Sequence, residues 1–153
     1  MIKRFTIALL FVFFVAGCNS NQQATLTKEV ISSSDAPAAI GPYSQAIKVG
    51  NMLYCSGQIA INPKTGELVN ESIEAETRQV LENLGAVLKE AGMDYSNVVR
   101  ATVFMSDMEK YSRINSVYAE YFKEKPPARA AVQVANLPKY VNVEISCIAV
   151  KTN

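Results

Sequence analysis

Two helical stripes set between strand-like runs constrain this chain more than any other feature. Apolar or semi-apolar residues recur at Ile73, Thr77, Val80, Leu81, Leu84, Val87, Leu88 and Ala91, the spacing of one helix face, with Ser72 in front as an N-cap and Gly92 behind as a stop. A second stripe of Tyr111, Ile114, Tyr118, Tyr121 and Phe122 follows Ser106 and Glu109, a pair spaced as a capping box, and ends before Pro126-Pro127. Strand-like runs fill the remainder: Lys28 to Ser32, Ala46 to Val49, Met52 to Ile61, Val98 to Met105, Ala130 to Val134 and Val141 to Val150. Gly50-Asn51 reads as a hairpin turn between the second and third of these, and Asn62 to Gly66 as a turn by composition. Three strands, helix, strand, helix and two strands describe one α+β domain whose single sheet carries both helices on one face. The strands are nonetheless apolar on both sides, as in Met52-Leu53-Tyr54-Cys55 and Ile145 to Val150, so the second face needs a cover that other copies of the chain could supply.

The first residues read as an address label. Lys3 and Arg4 form a basic start, Phe5 to Val15 is apolar apart from Thr6, and Val15-Ala16-Gly17 places small residues before Cys18. This pattern is similar to a bacterial lipoprotein signal with its lipobox. Residues 1–17 are then a signal peptide, residues 18–27 the lipidated Cys18 and a polar tether, and residues 28–153 the domain. The apolar run is short for a membrane span, which favours cleavage before Cys18 and a lipid anchor in the membrane. Asn19 after Cys18 points to an outer-membrane anchor in the cell envelope, facing the periplasm or the cell surface.

Several chemistries are excluded by composition. The chain has no histidine, which removes Ser-His and Cys-His nucleophile arrangements and His-based metal sites. Cys55 and Cys147 lie far apart without metal-ligand spacing, in apolar runs that suit buried thiols, so neither a metal nor another cofactor is expected. Of 15 Lys and Arg and 14 Asp and Glu, two basic residues and no acidic one fall in the first 17 positions, leaving a near-neutral body with no electrostatic footprint for nucleic acid.

Against that background Arg129 stands out. It lies in Pro126-Pro127-Ala128-Arg129-Ala130-Ala131-Val132-Gln133-Val134, one guanidinium among small and apolar neighbours. A guanidinium is a planar fork that matches a carboxylate through two hydrogen bonds, so its partner is either an internal acid or a small-molecule carboxylate. Three further segments accompany it: Ala36-Pro37-Ala38-Ala39-Ile40-Gly41-Pro42-Tyr43-Ser44-Gln45-Ala46, Ser56-Gly57-Gln58, and Leu137-Pro138-Lys139-Tyr140-Val141-Asn142-Val143-Glu144-Ile145. Together they closely resemble the RidA group of the Rid/YjgF family, the reactive intermediate deaminases, over Ala36 to Lys151.

The resemblance implies a chorismate-mutase-like (YjgF-like) α+β fold, a homotrimer with clefts between subunits, and hydrolysis of enamines and imines such as 2-aminoacrylate, 2-iminopropanoate and 2-iminobutanoate to 2-keto acids and ammonia without a cofactor. It assigns carboxylate capture to Arg129, the hydrolytic water to Glu144, and a cleft contact to Tyr43. Ser56, Gly57, Asn115 and Ala131 match ligand-lining positions. Two positions depart from the family pattern: Ala131 stands where some members have cysteine, a change that matters little if only its backbone contacts ligand, and Ser146 where a glutamate is common. The residue types fit the reaction independently. Imine hydrolysis needs a water near C2, a proton for nitrogen and orientation, and Glu144, Tyr43 or Ser56, and Arg129 can supply these. Each residue has a plainer role open to it: Tyr43 as a turn cap, Ser56 as a core hydroxyl, Glu144 as the ion-pair partner of Arg129. A binder of small carboxylates that leaves them unchanged is the alternative function. An RNA-acting role, ascribed to some relatives of that family, is disfavoured by the near-neutral charge.

Overall fold

A computed structural model describes residues 26–152. The lipobox, Cys18 and most of the tether therefore lie outside the described residues. Within them, six strands form one mixed sheet in the order β1-β2-β3-β6-β4-β5. These are β1 (Lys28–Ile31), β2 (Ala46–Val49), β3 (Met52–Gln58), β4 (Val98–Met105), β5 (Ala128–Gln133) and β6 (Val143–Val150). Helix α1 (Ile73–Glu90) lies between β3 and β4, and α2 (Tyr111–Tyr121) between β4 and β5. All strand neighbours are antiparallel except β4 and β5, because a helix rather than a hairpin connects that pair. Gly50, at φ 60°, closes the β2–β3 hairpin.

The pleat sorts the side chains. Along β6, Val143, Ile145, Cys147 and Ala149 are buried and alternate with half-buried Glu144, Ser146, Ile148 and Val150. The buried set joins Leu53 and Cys55 of β3, Ala101, Val103 and Met105 of β4, and the stripes of α1 and α2 in one core. Both helices thus cover one face of the sheet. Bidentate Arg78–Glu120 and Arg113–Glu74 pairs tie α1 to α2 at the surface. The other face displays Tyr54 and Val132 to solvent, the uncovered apolar side that the strand composition implied.

Ser72 caps α1 by accepting from the Ala75 N–H at 3.1 Å. The second cap differs from the expected one. Asp107, not Ser106, accepts from the Glu109 N–H and starts a single 3-10 turn over Met108–Lys110, from which α2 continues. Ser106 is drawn away, its hydroxyl bonding Asn142 Oδ1 at 3.2 Å. The third strand also stops short of Ile61, at a bulge between Cys55 and Gln58. The carbonyls of Ile59 and Ile61, off the ladder, are satisfied instead by Asn83 Nδ2 at 3.0 and 2.9 Å. Cys55 and Cys147 are buried free thiols directly opposite one another across β3 and β6. Their mutual hydrogen bond and burial push the Cys147 thiol well above its usual range, so it stays protonated.

Candidate functional site

The segment before β2 is held from inside. Gln45 is buried; its Oε1 accepts from the Ser33 N–H at 2.6 Å and its Nε2 donates to Ser33 O at 3.1 Å and Pro37 O at 2.7 Å. That anchor presents Ile40 and Tyr43 at the end of β3. The Tyr43 hydroxyl accepts from the Ile40 N–H at 3.2 Å, so it does pin its own turn, and its ring also lines a cavity of about 270 Å³. Ser56, Gly57, Ile59, Pro138 and Glu144 complete that cavity. Ser56 donates its hydroxyl to Ser44 O at 2.7 Å, which leaves its oxygen as an acceptor.

Glu144 sits against the backbone of Gly57. A Cβ on Gly57 would stand 1.9 Å from Glu144 Oε1, so only glycine leaves room for the carboxyl group. Burial pushes the Glu144 carboxyl above its ordinary value, and among the described residues no cation pairs with it. A carboxylate desolvated in this way is a stronger base than one in water.

Arg129 lies elsewhere. It stands opposite Ala101 in β4, whose side chain is buried against the helices, whereas Glu144 stands opposite Phe104. Three residues along one strand is an odd step, so Arg129 and Glu144 point from opposite faces of the sheet. Glu144 is therefore not the ion-pair partner of Arg129 within a chain. The guanidinium packs under α2, with its Cζ 4.6 Å from the centroid of the Tyr118 ring and 5.8 Å from that of Tyr111, and it donates to the Tyr111 hydroxyl at 3.2 Å. Hydrogen bonding to Asn115 and the nearby Arg129 charge lower the Tyr111 pKa. Burial raises that of Tyr118 to about 12. Asn115, Tyr118, Ala119, Phe122, Pro126, Pro127 and Arg129 line a second cavity of about 510 Å³. Asn115 Oδ1 and the Tyr118 hydroxyl are buried there without hydrogen-bond partners, and Arg129 makes no ion pair among the described residues.

Residues 33–151 match the family described as Endoribonuclease L-PSP. The chain belongs to that family. A RutC family protein of Pyrococcus horikoshii is 55% identical over 81% of this chain and 98% of its own length. The 2-iminobutanoate/2-iminopropanoate deaminase of Bos taurus is 49% identical over 84% of this chain and 93% of its own. Among solved structures, a Thermotoga maritima protein described as a putative endoribonuclease superposes with a TM-score of 0.81 at 50% identity, covering 83% of this chain and 100% of that one. Escherichia coli TdcF, solved with bound serine, gives a TM-score of 0.78 at 39% identity over 81% of this chain and 99% of its own. These likenesses bear out the Rid-type α+β fold expected from the motifs.

Within this L-PSP domain the expected site residues fall into two groups. Tyr43, Ser56, Gly57 and Glu144 share one cavity; Arg129 and Asn115 share the other. Ala131 is on the same face of β5 as Arg129, but its side chain packs on the core and lines neither cavity. The sequence reading missed Tyr118 as the seat of Arg129, since it counted only as part of an apolar helix stripe. It also missed Ile40, Ile59 and Pro138 as walls. Nothing in their spacing marks these three as neighbours of Glu144. Among the described residues no cluster of His, Cys, Asp and Glu could hold a metal ion, and no helix is long and apolar enough to cross a membrane.

Proposed function

We propose that this protein hydrolyses 2-imino acids and their enamine tautomers to 2-keto acids and ammonia, in clefts where the Arg129 cavity of one copy meets the Glu144 cavity of another in a homotrimer. The reading rests chiefly on one observation: an unpaired, partly desolvated carboxyl group with raised proton affinity is seated on the Gly57 backbone in an otherwise largely apolar cavity. An imine is already electrophilic, so such a base is the main chemical requirement. Deaminase names among relatives and serine bound in TdcF support a small amino-acid-like ligand. The uncovered sheet face supports assembly.

In the reaction, 2-aminoacrylate first takes a proton from solvent at C3 to become the iminium form of 2-iminopropanoate. Arg129 binds the carboxylate through its fork. Glu144 removes a proton from water as the oxygen bonds to C2, giving a carbinolamine. Glu144 then gives that proton to nitrogen and, as the C–N bond breaks and the oxygen pair forms C=O, takes the hydroxyl proton, so that ammonia and the keto acid leave and the last proton passes to solvent. Tyr43 and the free lone pair of Ser56 orient the water.

A coupled assay that generates 2-iminopropanoate enzymatically tests this directly. Purified protein should accelerate pyruvate release over the buffer rate; saturable binding of the keto acid with no acceleration would leave a carboxylate binder instead. The same interpretation extends to the membrane. Lipid attachment at Cys18 in the cell envelope is read from the lipobox pattern, and loss of labelled fatty acid in Cys18→Ser is the expected result.

A further inference from the structure

We propose that Glu76 is the positioning residue for Glu144, a role that rests on the hydrolytic function above. Glu76 lies on α1 and is completely buried, an unusual place for an acid. Its Oε1 accepts from the backbone N–H of Asn142 at 2.5 Å and of Val143 at 3.2 Å, and its Oε2 accepts from Asn142 Nδ2 at 2.8 Å. Asn142 Oδ1 accepts in turn from Ser106 Oγ at 3.2 Å and from Lys110 Nζ. The Asn142 carbonyl accepts from the Ser106 N–H at 3.0 Å.

Helix α1, strand β4 and the turn before α2 thus converge on two residues. Glu144 is the next one. Burying a carboxylate is costly, and an apolar side chain could fill the same volume, so packing alone gives no reason for it. What the carboxylate adds is direction. It takes two successive backbone N–H groups at the entry to β6 and fixes the peptide planes from which the Glu144 side chain leaves towards Gly57. The tolerance is small, because catalytic groups work only within about 0.5 Å of their productive position. The network is also polar in one sense: the Asn142 amide must present its NH₂ to Glu76 and its oxygen to Lys110 and Ser106.

That polarity supplies the test. Glu76→Gln keeps volume but sets an NH₂ against the NH₂ of Asn142; if that amide flips, its NH₂ faces Lys110 instead. Pairing it with Asn142→Asp restores every contact, since the introduced carboxylate accepts from the introduced amide on one side and from Lys110 and Ser106 on the other. We expect Glu76→Gln to lower kcat on 2-iminopropanoate about tenfold with KM within about twofold, and the double variant to recover to within about threefold of wild type. Asn142→Asp alone, which opposes two carboxylates, should be worse than either. A merely structural role would lower Tm without moving kcat selectively.

A second readout does not depend on turnover. The ¹³C titration of the Glu144 carboxyl should move in Glu76→Gln and return in the double variant, even if the wild type proves to have no deaminase activity and the functional reading fails. Should Glu76→Gln not fold, Asn142→Ser, which removes the amide's contacts to Oε2, Ser106 and Lys110 but leaves both backbone N–H groups on Glu76 Oε1, should show a kcat loss of the same kind at smaller size. Unchanged kcat and Glu144 titration in the folded single variant, or a folded double variant no better than it, would overturn the proposal.

Discussion

The two cavities differ in how each tolerates an unpaired charge. Arg129 is half-exposed and rests on aromatic faces, with Tyr118 beneath it and the Tyr111 hydroxyl accepting one of its N–H groups. Glu144 has no such support; it is held against backbone among Ile40, Ile59 and Pro138, and its proton affinity rises. The cation is stabilised as an ion, whereas the acid is prepared to exchange a proton. That asymmetry matches the chemistry: a carboxylate grip should stay charged throughout a cycle, and a base should not. Their placement on opposite faces of the sheet means that the proposed site needs two copies of the chain.

The largest effect should come from separating the halves chemically. Arg129→Met would remove the two charge-assisted hydrogen bonds proposed to hold the substrate carboxylate and should cut kcat/KM on 2-iminopropanoate by about 10³-fold, with the circular dichroism and oligomer mass unchanged. Arg129→Lys retains charge without the fork and should fall between. Activity within threefold of wild type in Arg129→Met would remove the idea that Arg129 grips the carboxylate. Next in size, Glu144→Gln should cost about 10²-fold in kcat while keto-acid binding survives.

The pH dependence carries the same comparison. With its pKa raised by burial above the ordinary glutamate value, Glu144 is protonated, and useless as a base, at pH values where an exposed glutamate is ionised. The kcat profile should therefore fall on the acid side with a midpoint above the ordinary value, and that limb should vanish in Glu144→Gln. The stability sign runs the other way. A carboxyl whose folded pKa is raised adds stability below its unfolded pKa and loses it as pH rises through the folded one. At neutral pH the glutamine variant should accordingly melt no lower than wild type.

Much of the fold could be read from periodicity. The α1 stripe predicted the apolar residues of the buried face, though not Glu76 and Asn83 among them, because a cap, a 3.6-residue repeat and a stop all agreed, and the two-sided apolarity of β3 and β6 foretold the uncovered sheet face. Ser106 misled because a capping box is a local pattern, and the hydroxyl found a better partner in Asn142, 36 residues away. The site residues were legible only as four motifs. That Tyr43, Ser56, Gly57 and Glu144 meet depends on the β3–β6 pairing, and that Arg129 stands apart depends on an odd register along β4. Glu76 gave no signal at all, since an acid in the first turn of an amphipathic helix normally marks a solvated N-terminus.

Gly57 tests how tightly the Glu144 half is built. Alanine would drive a methyl into the carboxyl group, with 1.9 Å to Oε1 and 2.6 Å to the carboxyl carbon, so either Glu144 changes rotamer or the β3 bulge opens. A loss of about thirtyfold in kcat is expected, smaller than in Glu144→Gln because the base is displaced rather than deleted. Keto-acid affinity, which the proposed grip assigns to Arg129, should hardly change. If Gly57→Ala instead weakened binding and spared kcat, Glu144 would be a ligand contact and not the base.

The smallest effect concerns the seat of Arg129. Tyr118 offers the guanidinium its ring face, a cation–π contact worth about 1 kcal/mol in a half-buried setting, while its hydroxyl is buried with no partner. These two parts of one side chain predict opposite outcomes. Tyr118→Leu removes the face and should raise KM about fivefold by loosening the guanidinium. Tyr118→Phe keeps the face and deletes an unsatisfied polar atom, so Tm should hold or rise and KM should stay within about twofold. Asn115 Oδ1, the other orphan in the same cavity, makes the contrast sharper. Both orphan atoms are closed to solvent, so a ligand N–H would satisfy them only after a side-chain shift. If Tyr118→Phe raises KM as much as Tyr118→Leu does, the hydroxyl bonds the substrate, and the Arg129 cavity recognises the imine nitrogen together with the carboxylate.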